Sequence, residues 1–232
     1  NPHTQIVAKM CNLGAGADVA SEGEIKIALS SGIPPEHIEF SGPGKKEKEL
    51  AYAILNEIGS INIESIAELE IIASLCSKLH KKARIGIRIN KHSKHVKAGL
   101  KMSGDTQFGI SEHDVKKALE TIKQQEQHFD FTGIHVHVGS QILSEEDISD
   151  NFDAILDLAL RIQNYGIMDI KKINFGGGWG ISYYSNQKSL NLTNLHERLC
   201  FVITKPSYQK LIKNTKLIVE PGRFLVGECG IY

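Results

Sequence analysis

Three short stretches of this chain carry residue types whose spacing could do chemistry. Phe175-Gly176-Gly177-Gly178-Trp179-Gly180 offers consecutive backbone N–H groups with no side chain in the way, the composition of an anion nest. The same run also suits a tight turn that needs positive φ. Glu220-Pro221-Gly222-Arg223 brings a carboxylate and a guanidinium together, able to serve a phosphate-bearing ligand or to close on each other as a buried ion pair. Gly133-Ile134-His135-Val136-His137-Val138-Gly139-Ser140 sets two imidazoles at period two, hence on one face if the segment is a strand. Such a pair can ligate zinc with Asp18, Glu24 or Glu220, although no further histidine stands at a strand tip. It can equally give a flat ring stacked on an aromatic cofactor, with Ser140 directed at a phosphate, or a plain core histidine.

Each stretch ends a short β-branched run. Seven such strands are expected, near Ala17–Ala20, His37–Ser41, Ser60–Glu64, Ala83–Asn90, Phe131–Gly139, Lys172–Gly176 and Lys216–Pro221, with helical patterns between them. Ser21/Glu24, Ser65/Glu68, Ser111/Asp114 and Ser144/Asp147 read as serine caps with an acid three residues on. The alternation predicts an α/β fold, a (β/α)8 TIM-type barrel, in which phosphate sites favour the loops after the last two strands. Seven strands leave it incomplete. The chain opens at Asn1-Pro2 directly into an amphipathic pattern (Ile6, Val7, Met10, Cys11) that ends at Gly14, and Tyr232 follows the last strand closely. Residues 1–232 are therefore expected to form one domain, a fragment of a longer chain whose first strand lies upstream of Asn1.

Composition narrows the ligand. Lys+Arg and Asp+Glu stand at 27 each, so no basic footprint invites nucleic acid. Hydrophobic content of 41% contains no run near the roughly 20 apolar residues that span a bilayer. Cys11, Cys76, Cys200 and Cys229 form no CxxC pair, as suits reduced thiols in a cytoplasmic protein. A small-molecule ligand is expected, with no nucleic-acid or membrane partner. The charge-rich runs Lys45–Glu49 and Lys91–Lys101 read as solvated faces.

Gly14-Ala15-Gly16-Ala17-Asp18-Val19-Ala20-Ser21-Glu22-Gly23-Glu24, Ile63-Glu64-Ser65 with Glu68-Leu69, Arg88-Ile89-Asn90, Phe108-Gly109, His135–Gln141, Gly176–Gly178 and Glu220–Arg223 occur in order. Their order and spacing resemble the pyridoxal-phosphate-binding barrel of the diaminopimelate and ornithine decarboxylases, over nearly the whole chain. The resemblance implies pyridoxal 5'-phosphate as cofactor and no metal. His137 would stack on the pyridine ring, and Ser140, Gly176, Gly177, Gly178, Gly222 and Arg223 would hold the phosphate. Glu220 would pair with the ring nitrogen, keeping the ring protonated so that it takes up the electrons of the breaking Cα–carboxylate bond. Asp18, Glu24 and Arg88 would surround the cofactor, Arg88 by orienting the histidine or its neighbours; for Ser21 and Glu24 helix capping is the competing reading. His137 and Glu220 are thus the candidate catalytic residues.

The resemblance also implies what lies outside residues 1–232: the lysine that carries the cofactor, and a β-rich second domain that completes the partner subunit's site in a homodimer. As written the chain should not turn over. Gln107 before Phe108, Lys91 after Asn90, and Phe40-Ser41-Gly42-Pro43-Gly44-Lys45-Lys46 depart from the diaminopimelate pattern and look more like decarboxylases of antibiotic and siderophore pathways, which act on carrier-bound or conjugated amino acids. Amino-acid decarboxylation as in lysine biosynthesis, its carrier-bound variant, an inactive homologue that serves as a binding protein, and a metal-dependent hydrolase built on the paired histidines are the readings to separate.

Overall fold

The computed structural model describes residues 2–91, 100–101 and 108–230, with only the backbone described at 100 and 101. In chain order its elements are α1 (Thr4–Asn12), β1 (Ala17–Val19), α2 (Glu22–Ser30), β2 (Ile38–Phe40), α3 (Glu47–Leu55), β3 (Ser60–Ile63), α4 (Ile66–Leu79) and β4 (Ala83–Asn90). There follow β5 (Leu100–Lys101), β6 (Ile110–Ser111), α5 (Val115–Gln124), β7 (Phe129–His135), β8 (Gly139–Ser140), α6 (Glu145–Gln163), β9 (Lys172–Gly177), α7 (Leu192–Ile203), α8 (Gln209–Ile212), β10 (Lys216–Glu220) and α9 (Gly222–Val226). Each of the seven expected strands has its counterpart. The chain forms two compact units, one of residues 1–89 and 107–133, the other of residues 90–106 and 134–232.

In the first unit β1, β2, β3 and β4 pair in parallel in that order, and β6 and β7 also join β4. Strands buried on both faces lose the polar alternation of half-exposed ones: β2 and β3 are buried throughout. Phe40, Ile61, Ile63, Ile85 and Ile87 meet Ile25, Leu50, Leu69 and Ile72 from the helices, all at most 1% exposed. Serine caps start the helices as their spacing suggests: Ser21 and Ser65 accept from the backbone N–H of Glu24 and Glu68. At Ser111 the pattern fails. Its hydroxyl accepts from His113 N, residues Glu112–Asp114 make a 3-10 turn, and α5 begins only at Val115.

In the second unit β9 and β10 pair in parallel, with a shift of register between Ile218 and Glu220. β5 and β8 form a short antiparallel pair. Phe175 stacks on Phe152 of α6 at 4.0 Å, anchoring β9 to that helix, and the Ser144 hydroxyl caps α6 by accepting from Asp147 N at 3.1 Å. The expected strand Phe131–Gly139 is corrected at both ends, since β7 runs from Phe129 and stops at His135. Past His135, Val136 N still donates to Asn174 O at 2.9 Å, and the next N–H groups of β9 meet side chains, Gly176 N at Asn174 Oδ1 and Gly177 N at His137 Nδ1.

Candidate functional site

In the first unit the candidate residues stand at the C-terminal ends of parallel strands. Asp18, on β1, accepts a hydrogen bond from Ser41 Oγ at 2.8 Å, and Ser41 in turn accepts from Asn62 Nδ2 at 3.1 Å. Glu24 is drawn into capping: its Oε2 accepts from Ala20 N at 2.7 Å. Pro2, Val7, Asp18, Glu24 and Ile27 line a cleft of about 50 Å³, room for water but not for a cofactor.

Arg88 is 6% exposed and meets Glu64 at 2.6 Å, with the Phe108 ring 4.9 Å from the guanidinium carbon. Glu64 gathers two backbone donors besides, Gly42 N at 2.9 Å and Gly109 N at 2.7 Å. The carboxylate thereby ties the turn after β2, the end of β4 and the turn before β6 into one knot. Lys45 completes it. Its side chain is 1% exposed, and Nζ meets Glu68 at 3.0 Å and the carbonyls of Gly42 and Asn62 at 2.6 and 2.9 Å. The reading of Lys45–Glu49 as a solvated face is corrected at Lys45, because sequence shows the sign of a charge but not that the turn folds it inward.

In the second unit three strand ends supply the residues. Gly176 and Gly178 hold φ of +67° and +91°. A Cβ on Gly177 would lie 2.0 Å from Glu220 O, and one on Gly178 would lie 2.0 Å from Gly139 O. Close backbone approach by itself demands glycine here, whatever ligand is present. Two of the three loop N–H groups are engaged within the protein: Gly176 N donates to Asn174 Oδ1 at 2.9 Å and Gly177 N to His137 Nδ1 at 3.2 Å. The half-buried His137 therefore has its ring orientation set by the glycine turn. Ser140 is half-buried on β8, and Gln141 after it adopts a left-handed conformation at φ +63°, the kind of backbone outlier that concentrates at functional sites.

His135 is 2% exposed, and its Nε2 lies 3.3 Å from Glu220 Oε2. Asn174 Nδ2 donates to Glu220 Oε1 at 2.6 Å. Burial pushes the Glu220 carboxyl up, but the facing His135 outweighs it together with the hydrogen bonds from His135 and Asn174 and the nearby His137, so the group is held below the ordinary carboxylate range. Glu220 and Arg223 do not close on each other. Glu220 faces His135 and Asn174, whereas Arg223, at the start of α9, bonds the Tyr183 hydroxyl and lies over that ring at 6.0 Å. A Cβ on Gly222 would meet nothing within 4 Å; of the four candidate phosphate glycines it is the one left open. Among the described residues no three His, Cys, Asp or Glu gather as metal ligands, and His135 and His137 bond separate partners. Gln107 lies outside the described residues.

Sequence reasoning gave no role to Asn174, Ser41 or Lys45, and placed Glu64 in a motif without a task. Asn174 had one signal, an amide between Ile173 and Phe175 in an otherwise apolar run two residues ahead of the glycines.

Parallel strands alternating with helices, with the candidate side chains at the strand ends, define the class, an α/β domain that carries its site at the ends of its strands. The particular family is settled by comparison: residues 1–227 match the model described as "Pyridoxal-dependent decarboxylase, pyridoxal binding domain", and the chain belongs to that family. It is 37% identical to diaminopimelate decarboxylase of Aquifex aeolicus over 100% of this chain and 53% of that protein. It is 35% identical to the L-glutamyl-[BtrI acyl-carrier protein] decarboxylase of Niallia circulans over 94% of this chain and 51% of that protein. The crystal structure of Helicobacter pylori diaminopimelate decarboxylase complexed with L-lysine superposes with a TM-score of 0.81 at 32% identity, over 96% of this chain and 55% of that one. The chain thus spans about half the length of the relatives it matches. The fold class read from the sequence, α/β of the (β/α)8 type, holds.

Proposed function

We propose that residues 1–232 are the pyridoxal-phosphate-binding domain of an amino-acid decarboxylase of the diaminopimelate type. The observation that carries this reading is Glu220, a carboxylate with a 14% exposed side chain that His135 and Asn174 keep in its charged form. The donor set fits the cofactor: an anionic carboxylate for the ring nitrogen, a flat imidazole at His137 set by Gly177 N, and an unobstructed Gly222 beside the cationic Arg223. Ser140 and the Gly176–Gly178 turn would contribute to phosphate binding, with Asp18 and Arg88 as supports. Bound pyridoxal 5'-phosphate supplies a protonated ring that takes up the electron pair released when the Cα–carboxylate bond breaks. Glu220 would keep that proton on the ring nitrogen, and His137 would lie against the ring.

The relative from Niallia circulans, whose name specifies a carrier-bound glutamyl group, favours a second reading in which the substrate is a conjugated amino acid. The altered Phe40–Lys46 segment agrees with it. A homodimer in the cytoplasm belongs to either reading; among the described residues no helix is long and apolar enough to cross a membrane.

The test is the full-length protein incubated with pyridoxal phosphate, followed by its visible absorbance and by release of labelled carbon dioxide. Release from meso-diaminopimelate supports the first reading, and release only from a carrier-bound amino acid supports the second. Cofactor binding with no carbon dioxide from any of these would leave an inactive homologue and overturn both.

A further inference from the structure

We propose that His135 and Asn174 are positioning residues that hold Glu220 as a carboxylate and link its charge state to the glycine turn. The inference rests on the reading of Glu220 as the ring-nitrogen partner, and it concerns residues to which the family motifs give no task.

The register shift creates the arrangement. Ile218 pairs with Asn174, but Glu220 pairs with Gly177, one residue further along β9 than regular pairing allows. The shift presses the Glu220 carbonyl to within 2.0 Å of where a Gly177 Cβ would be, and it brings the Glu220 side chain back over Asn174, whose Nδ2 reaches Oε1 at 2.6 Å. The Asn174 amide has only one sensible orientation. Its Oδ1 accepts from Gly176 N at 2.9 Å, so a flipped amide would set oxygen against the carboxylate and NH₂ against an N–H. At 2% exposure neither clash is relieved by water. Asn174 therefore hands the position of the glycine turn directly to Glu220.

His135 provides the second hold, Nε2 to Oε2 at 3.3 Å. A buried carboxylate is expensive unless donors offset the lost water, and these two side chains are the offset. The titratable groups facing Glu220 are His135 and His137, and with the Asn174 bond they bring its carboxyl below the ordinary range against the effect of burial. Removal of either donor raises the pH at which Glu220 takes up a proton. A protonated Glu220 would no longer offer an anionic acceptor to the ring nitrogen of a bound cofactor, and turnover should fall as pH is lowered.

The experiment uses the full-length protein with His135→Phe, His135→Gln, Asn174→Leu and Glu220→Gln, singly and in pairs. The first readout is independent of the cofactor: carboxyl-carbon NMR of labelled glutamate, with the Glu220 signal assigned by its loss in Glu220→Gln. We expect that signal to titrate at higher pH in His135→Phe and Asn174→Leu, and to return toward the wild-type position in His135→Gln, which keeps a donor without an imidazole. The second readout is the kcat profile of the holoenzyme. Its acid limb should move up with the same variants, each losing about tenfold or more at the acid end, the scale of a bond to a charged group. Neither substitution should lower kcat further in the Glu220→Gln background. An unmoved Glu220 titration, or losses that multiply with Glu220→Gln, would overturn the inference even in an active decarboxylase. A shifted titration in a protein that binds no pyridoxal phosphate would uphold the positioning role and reject the functional reading on which its use depends.

Discussion

Glu64 and Glu220 are both carboxylates at strand ends with little exposure, and they are held in opposite ways. Glu64 meets a guanidinium at 2.6 Å and two backbone N–H groups; Glu220 meets an amide and an imidazole. A guanidinium stays charged throughout the working range, so Glu64 and Arg88 form a fixed pair whose business is to knot three turns together. An imidazole can be neutral or charged near neutrality, and an amide carries no charge. Glu220 therefore keeps an electrostatic demand that a cationic ring can meet, whereas the demand of Glu64 is already met. Burial and charge are common to the two carboxylates; what distinguishes them is how much of the compensation the protein has left open.

The most severe way to break the comparison is Arg88→Ala. It abandons Glu64 in a buried setting, which should cost about 3–5 kcal/mol in denaturant unfolding. A cost under about 1 kcal/mol would mean that backbone donors suffice and that Glu64 is as open as Glu220. The glycines permit the next cut. Gly178→Ala meets both a φ of +91° and a carbonyl 2.0 Å from the new Cβ, so about 2–3 kcal/mol should be lost. Gly222→Ala enters open space and should stay within about 0.5 kcal/mol of wild type. If Gly222→Ala nevertheless weakens pyridoxal phosphate binding in a titration of the full-length protein, the loss reports the ligand and not the fold.

The positions of the strands were legible because their apolar runs and glycine-rich ends repeat through the chain, and the caps at Ser21, Ser65 and Ser144 because their pattern is local. What escaped was tertiary. The early end of β7 escaped because the alternation of apolar residues runs on through Val136 and Val138, past His135 where the strand stops. Lys45 looked like part of a charge run until the Gly42 turn buried it against Glu68. The glycines at 176–178 were singled out as a phosphate turn, yet packing against Gly139 and Glu220 accounts for two of them without a phosphate. Asn174 and His135 acquire their task from a register shift in β10, a feature with no sequence signature of its own. The motif residues were visible one at a time; the partner that each would bond was not.

Smaller changes sharpen the contrast. Ser65→Ala removes the hydroxyl that accepts from Glu68 N at the start of α4, and about 1 kcal/mol should be lost on unfolding. Glu68 also holds Lys45, so the melting point of Lys45→Met combined with Ser65→Ala should fall by less than the sum of the two separate losses, as expected of neighbours in one network.

The least effect on stability and the finest discrimination comes from pH. Glu220 has its folded pKa depressed, so its contribution is present above the unfolded carboxylate value and is lost as pH falls through the folded one. Unfolding free energy measured across the acid range should therefore decline, with a slope that is shallower in Glu220→Gln because the substituted side chain binds no proton in either state. His135→Phe should shrink the same slope by bringing the folded pKa of Glu220 nearer its unfolded value. If Glu220→Gln leaves the slope intact, the acid sensitivity of the fold belongs to other carboxylates such as Glu145, whose acidity is enhanced by the Asn191 N–H at 2.6 Å. Glu220 would then not be held below its ordinary range, and the hold by His135 and Asn174, on which the contrast with Glu64 rests, would collapse.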